Sequence, residues 1–172
     1  MAKTELEPFA AYKQFMKVLA EPGALLGVID SEGRPNLMTI GWCTVGIIWG
    51  KPICTVYVRP SRHSYTCLEE IRQFTVNVGG VTPSVVELCG TVSGRKQDKF
   101  KQAGITAAAA KKVKAPIVKE CVLHYECNVV HYNDVLPMNL HHAIIEEYYA
   151  KGDFHRLYFG EIVACYGDLA KI

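Results

Sequence analysis

The chain has 172 residues, 49% of them apolar and 21% charged, with a formal net charge of +2. That size and balance favour one globular domain, residues 1–172, with a real core. They exclude a strongly basic nucleic-acid face as a global feature, and no apolar run reaches the roughly 18 residues that a membrane-spanning helix needs.

The opening Met-Ala-Lys-Thr-Glu-Leu-Glu is charged, with no apolar segment behind it, unlike a secretory signal. A cytoplasmic location is the expectation. Phe9, Tyr12, Phe15, Met16 and Leu19 fall near one face of a helix, which Pro22-Gly23 ends, so residues 1–22 read as an N-terminal helical extension. Ala24 to Ile29 reads as a strand. Asp30-Ser-Glu-Gly-Arg-Pro35 is a turn that closes a hairpin into a long strand, Asn36 to Ile48. Gly50-Lys-Pro52 turns the chain into the strand Ile53 to Val58. Arg62 to Gln73 is read as helix and Phe74 to Val78 as an alternating strand. Pro83 to Leu88 and Gln97 to Gln102 are two short helices.

Thr106 to Lys112, with four consecutive alanines, is linker or a single helical turn. Three strands are expected after it, at Ile117 to Tyr132, Asn139 to Ala150 and Arg156 to Tyr166. Strands in hairpin order with helices inserted between them do not make a regular β-α-β alternation. A mainly β, closed antiparallel barrel with peripheral short helices fits better.

The seven cysteines, Cys43, Cys54, Cys67, Cys89, Cys121, Cys127 and Cys165, contain no Cys-x-x-Cys pair. Most lie in apolar runs and read as buried free thiols. No Cys/His set has metal-ligand spacing, so no metal is expected. His141 and His142, on the expected strand, would point to opposite faces and could not share a site.

The segment Val58-Arg-Pro-Ser-Arg-His-Ser-Tyr-Thr66 carries the most chemistry. It places two guanidinium groups, an imidazole and several hydroxyls where a strand gives way to a helix. Unpaired backbone N–H groups and the helix dipole make such a start attractive to a phosphate or another anion. A solvated turn with a capping serine is the plainer alternative.

Three further segments accompany it: Asn36-Leu-Met-Thr-Ile-Gly-Trp42, Cys89-Gly-Thr-Val-Ser-Gly-Arg-Lys-Gln-Asp-Lys-Phe100, and Gly152-Asp-Phe-His155 followed by Gly160-Glu-Ile-Val163. In this order they resemble the flavin reductase-like family, most of all its flavoredoxin branch. The resemblance covers roughly Ala24 to Tyr166. It departs from the family pattern at His63-Ser64, where Tyr-Thr is common, and at Phe154, inserted before the histidine.

The resemblance implies an antiparallel Greek-key split β-barrel and noncovalently bound FMN. It implies a ring-binding strand with Asn36, Thr39, Ile40, Trp42, Cys43 and Thr44, and a phosphate turn with Arg62, Ser64 and Tyr65. It adds the loop residues Ser93, Gly94 and Lys99, and His155 as a candidate catalytic residue on the late hairpin. An apolar wall with a few convergent donors is what a flavin needs. Trp42 and Asn36 would otherwise be a core residue and a turn residue, and Cys43 a buried strand thiol.

The implied activity is oxidoreduction, with NADH or NADPH as donor. An electron carrier reduced by a protein partner is the first alternative, and a non-enzymatic module for a phosphorylated ligand the second. The implied assembly is a homodimer exchanging electrons with a small molecule or a protein, with neither nucleic acid nor membrane as a partner.

Overall fold

The computed structural model describes residues 3–171. In chain order the strands and helices are β1 (Thr4–Glu5), α1 (Tyr12–Ala20), β2 (Ala24–Ile29), β3 (Pro35–Ile40), β4 (Cys43–Ile48), β5 (Lys51–Val58), α2 (His63–Ile71), β6 (Gln73–Val78), α3 (Pro83–Thr91), α4 (Lys99–Ala103), β7 (Ala107–Ala108), β8 (Ile117–Val118), β9 (Leu123–Asp134), α5 (His142–Tyr148) and β10 (Arg156–Gly167).

One sheet dominates, with strand order β3-β2-β6-β9-β10-β5-β4 and β1 added against β10. Every pairing in it is antiparallel. The last two long strands occupy its middle, between β6 and β5, which is the out-of-sequence order of a Greek key. The ends of this path, β3 and β4, are consecutive in the chain and joined only by Gly41-Trp42. Ile40 and Cys43 can therefore be no more than about 11 Å apart. A flat sheet would separate its end strands by roughly 29 Å. The sheet must curl until its ends meet, yet β3 and β4 share no ladder. The result is a barrel split along one seam.

The barrel interior holds Leu26, Val28, Val56, Val58, Phe74, Val76, Tyr125 and Tyr158, all buried. Helix α1 plugs one end through Phe15, whose ring centroid lies 5.3 Å from that of Tyr125. A second cluster lies outside the sheet, where Leu25 and Leu37 meet Val86, Cys89 and Phe100 from α3 and α4. Strand β2 is buried on both faces for this reason, so its sequence is continuously apolar. The fully buried Glu126 is satisfied by the backbone N–H groups of Lys111, Lys112 and Val113 and by the Tyr166 hydroxyl, which ties the 111–113 loop to the sheet.

Three strand expectations need correction. Asn139 to Ala150 is not a strand. It is the end of a 3-10 turn at Pro137–Asn139 followed by α5. His141 Nδ1 accepts the Ala143 N–H at the start of that helix, and His142 lies 3.3 Å from Glu146 one turn on, so the two-faced strand geometry does not apply. The run from Ile117 is interrupted by a turn before β9 begins at Leu123. The run Asn36 to Ile48 breaks at Gly41-Trp42, at the barrel seam. The alanine-rich segment contributes the two-residue strand β7, paired with β8. Among the described residues no helix is long and apolar enough to cross a membrane.

Candidate functional site

Two adjoining cavities open beside the seam, with Met38 and Arg62 lining both. The first, of about 130 Å³, is lined by Asn36, Ser61, Arg62, His63, Ser64, Ser93, Gly94 and Lys99, with Thr91 and Val92. The second, of about 230 Å³, is lined by Thr39, Ile40, Gly41, Trp42, Tyr57, Arg59 and His155. Neither lining contains a carboxylate.

The cationic end is built by three chain segments. Val58 ends β5, and the Arg59–Arg62 turn leads directly into α2, with Arg62 as the extended residue before its first turn. Asn36 near the start of β3 donates its Nδ2 proton to Ser64 Oγ at 2.9 Å, and both are buried. Arg62 Nη1 donates to the Gly90 carbonyl at 2.9 Å, which fixes the guanidinium at the mouth. The Lys99 ammonium donates to the carbonyls of Leu37 (2.7 Å) and Cys89 (2.8 Å). Lys99 is only 5% exposed, and its burial lowers its pKa to about 8, with Arg62 adding to the drop. Gly94 approaches so closely that a Cβ there would lie 1.9 Å from Asn36 Oδ1. A glycine is required for this loop to pack on β3.

The second cavity is walled by rings. Trp42 lies 4.7 Å from the His155 ring and 6.3 Å from Tyr57. His155 Nδ1 shares a 2.7 Å hydrogen bond with Tyr149 Oη. Burial, then the nearby Arg59 charge, lowers the His155 pKa to about 4, so its imidazole is neutral at neutral pH. Arg59 itself is a brace: it donates to the carbonyls of Tyr148 and Asp153 and lies over the Tyr149 ring. Ser61 Oγ donates to Asp153, so the 148–153 segment is tied to the anion turn.

Of the residues expected from sequence, Asn36, Thr39, Ile40, Trp42, Arg62, Ser64, Ser93, Gly94, Lys99 and His155 line this double cleft. Cys43, Thr44 and Tyr65 do not. Cys43 Sγ lies 3.4 Å from Cys54 Sγ, and the hydrogen bond between them and then burial raise its pKa, while Thr44 is exposed on β4. Both follow the seam, where the chain has already left the cleft. Tyr65 packs on Tyr158 and under Arg156. One helical residue on from Ser64, it is rotated by about 100° around the axis and faces away.

Met38, Tyr57, Ser61, His63, Thr91 and Val92 were not singled out for this cleft. Strand alternation from Asn36 puts Met38 on the same face, which was a usable signal. Tyr57 needed knowledge that β5 lies beside the seam.

The sequence profile described as "Flavin reductase like domain" matches residues 16–171. The chain belongs to the flavin reductase-like family. A flavoredoxin of Methanosarcina acetivorans is 29% identical and superposes with a TM-score of 0.64, over 86% of this chain and 68% of that one. The flavoredoxin of Desulfovibrio vulgaris (Miyazaki F) gives a TM-score of 0.67 at 23% identity, over 86% of this chain and 69% of that one. An uncharacterized protein of Archaeoglobus fulgidus is 32% identical over 108 residues, 60% of this chain and 58% of that protein. The chain spans less than two thirds of the length of the curated relatives it matches. Solved neighbours in this flavin reductase-like family include split-barrel structures, so the curled sheet is the family's FMN-binding split barrel.

Membership implies a flavin cofactor, and the cleft suits one chemically. Its narrow end offers a guanidinium, an ammonium and serine hydroxyls with no acidic side chain, matching a phosphate ester. Its wider end offers aromatic and aliphatic walls with a few polar atoms, matching a flat heteroaromatic ring.

Proposed function

We propose that this chain is an FMN-dependent oxidoreductase of the flavin reductase or flavoredoxin type, moving hydride or electrons through noncovalently bound FMN. The observation that carries this is the carboxylate-free double cleft, cationic at Arg62 and Lys99 and aromatic at Trp42 and Tyr57, joined through Met38 and Arg62. When bound, FMN supplies the hydride and single-electron chemistry.

The protein's share is binding, orientation and electrostatics. Arg62, Ser64 and Lys99 would hold the phosphate, with Ser93 and Gly94 closing over it. Met38, Ile40 and Trp42 would wall the ring and exclude water, while Thr39 and Asn36 brace the strand that carries them. Thr39 Oγ1 does so by donating to the Val86 carbonyl. His155 is held through Nδ1 and is neutral. It therefore acts as an orienting hydrogen-bond group beside the ring rather than as a charge. NADH or NADPH is the proposed donor, a small molecule or a protein the acceptor.

The likeness to the Methanosarcina flavoredoxin favours a second reading, an electron carrier reduced by a protein without a nicotinamide donor. Anaerobic mixing of the FMN-loaded protein with NADH or NADPH separates the two. Bleaching of the flavin bands by either nucleotide supports the reductase. Retained FMN with no bleaching supports the carrier.

A homodimer belongs to the same proposal, and the exposed Ile47, Trp49, Met138 and Ile144 leave apolar surface for it. Light scattering should give twice the 19.1 kDa chain mass. A monomer mass would remove this element.

A further inference from the structure

Tyr148 ends α5 and Tyr149 caps it, and the two side chains part ways: Tyr148 is exposed and Tyr149 is buried. The Tyr149 ring is held by its neighbours. Phe154 stacks on it, with centroids 4.6 Å apart and planes 16° apart. The Arg59 guanidinium carbon lies 5.0 Å from its centroid, and Trp42 meets it edge-on at 6.3 Å. Phe154 is the residue inserted before the histidine, and Gly152 and Asp153, at φ 75° and 58°, form the left-handed turn that leads into it. The insertion therefore seats Tyr149 against His155. Tyr149 does not line the ring cavity and His155 does, so the hydroxyl meets Nδ1 from the protein side, at 2.7 Å. Nε2 of His155 has no hydrogen-bond partner among the described residues.

The direction of that hydrogen bond follows from what each group can offer. A phenol O–H is a stronger donor than a neutral imidazole N–H, and an unprotonated imidazole nitrogen is a stronger acceptor than a phenol oxygen. Burial raises the Tyr149 pKa, against a smaller opposing effect of Arg59, so the hydroxyl keeps its proton. The reverse arrangement, Nδ1–H donating to the phenol oxygen, would leave the buried hydroxyl proton without an acceptor among the described residues. A neutral imidazole carries one N–H, so with Nδ1 accepting, that proton sits on Nε2.

We propose that Tyr149 is a positioning residue that fixes the tautomer of His155, so that the imidazole presents an Nε2–H donor to the ring cavity. The ligand feature this donor would take is an acceptor atom, a carbonyl oxygen or an unprotonated nitrogen, on the edge of a heteroaromatic ring. That the ring is a flavin rests on the FMN reading of the cleft; the tautomer does not. Thr39 and Arg59 line the same cavity but donate to protein carbonyls, which leaves more of the polar recognition to His155.

Long-range proton–nitrogen NMR spectra of the free, histidine-labelled chain at neutral pH test it, with His155 assigned through His155→Phe. The native chain should show a protonated Nε2 and an unprotonated, hydrogen-bonded Nδ1. Tyr149→Phe keeps the ring and its stack on Phe154 and removes only the hydroxyl, so the Nδ1 signal should move toward that of a nitrogen without a hydrogen bond. A protonated Nδ1 in the native chain, or an Nδ1 signal unmoved in Tyr149→Phe, would overturn the inference whether or not FMN binds. A purely structural Tyr149 would lower thermal stability without moving that signal. In flavin titrations Tyr149→Phe should weaken FMN by about threefold to tenfold. The same change made in His155→Phe should cost nothing further, because Tyr149 acts through the imidazole. Additive losses would overturn that route. The expected tautomer in a native chain that binds no FMN would support the role of Tyr149 and overturn the cleft reading alone.

Discussion

Asn36 and Ser64, 28 residues apart, are joined by a buried 2.9 Å hydrogen bond that ties the strand beside the barrel seam to the first turn of α2. It holds the ring wall and the phosphate turn in one geometry. Truncating either residue leaves its partner buried and unsatisfied, at a cost of about 1–3 kcal/mol. Urea unfolding of Asn36→Ala, Ser64→Ala and the double variant should show a coupling of about 1 kcal/mol. Strict additivity would mean that the contact contributes nothing.

Gly94→Ala places a Cβ against Asn36 Oδ1, where 1.9 Å separates them before relaxation. The loop must move outward, carrying Ser93 away from the cleft. FMN affinity should fall about tenfold or more, with a smaller effect on thermal stability, because the loop is superficial. Unchanged FMN affinity in a titration would show that the loop does not close over the cofactor.

Lys99 gives a pH signature. Burial lowers its pKa to about 8 from the ordinary 10.5. Above about pH 8 the free protein loses the ammonium that would face the phosphate, so FMN affinity should decline as pH rises through that value. Lys99→Met should bind more weakly and lose this decline. Stability of the free chain runs the other way. Between about pH 8 and 10.5 the unfolded chain holds the proton and the folded chain does not, so stability rises with pH across that window. An affinity profile in the native chain as flat as in Lys99→Met would remove Lys99 from the phosphate site.

His124 and His155 govern the acid side. His124 is fully buried, sharing a 2.8 Å hydrogen bond through Nδ1 with Asn77, and burial lowers its pKa to about 3. His155 is lowered to about 4. Both folded values lie below the unfolded value of about 6.5, so the stability these neutral rings contribute is complete above that pH. It is lost as pH falls, by about 1.4 kcal/mol per pH unit for each histidine. Urea midpoints between about pH 7 and pH 5 should drop accordingly, and His124→Gln should roughly halve the slope. A slope unchanged in His124→Gln would contradict a neutral buried imidazole.

Much of this was legible because strand alternation, the Asp30–Pro35 turn and the Arg59–Thr66 turn are local signals. The split barrel followed from motif order rather than from periodicity. The segment 139–150 misled because His-Ala-Ile-Ile-Glu-Glu-Tyr-Tyr is rich in β-branched and aromatic residues. Its helix is short and is positioned by tertiary ties from Arg59 and Trp42 to its C-terminal end. The seam at Gly41-Trp42 was hidden inside an apolar run, and with it went the placement of Cys43 and Thr44. Tyr65 was assigned through its neighbour Ser64, although helical geometry turns the two apart.

The most direct measurement is a paired titration of the native chain and Arg62→Ala with FMN and with riboflavin, followed by flavin absorbance and fluorescence. The native chain should bind FMN with characteristic flavin bands. Arg62→Ala should weaken FMN by about tenfold or more while changing riboflavin little, because the guanidinium acts on the phosphate. Failure of the native chain to bind FMN, or equal losses for both ligands, would contradict the placement of an FMN phosphate at Arg62.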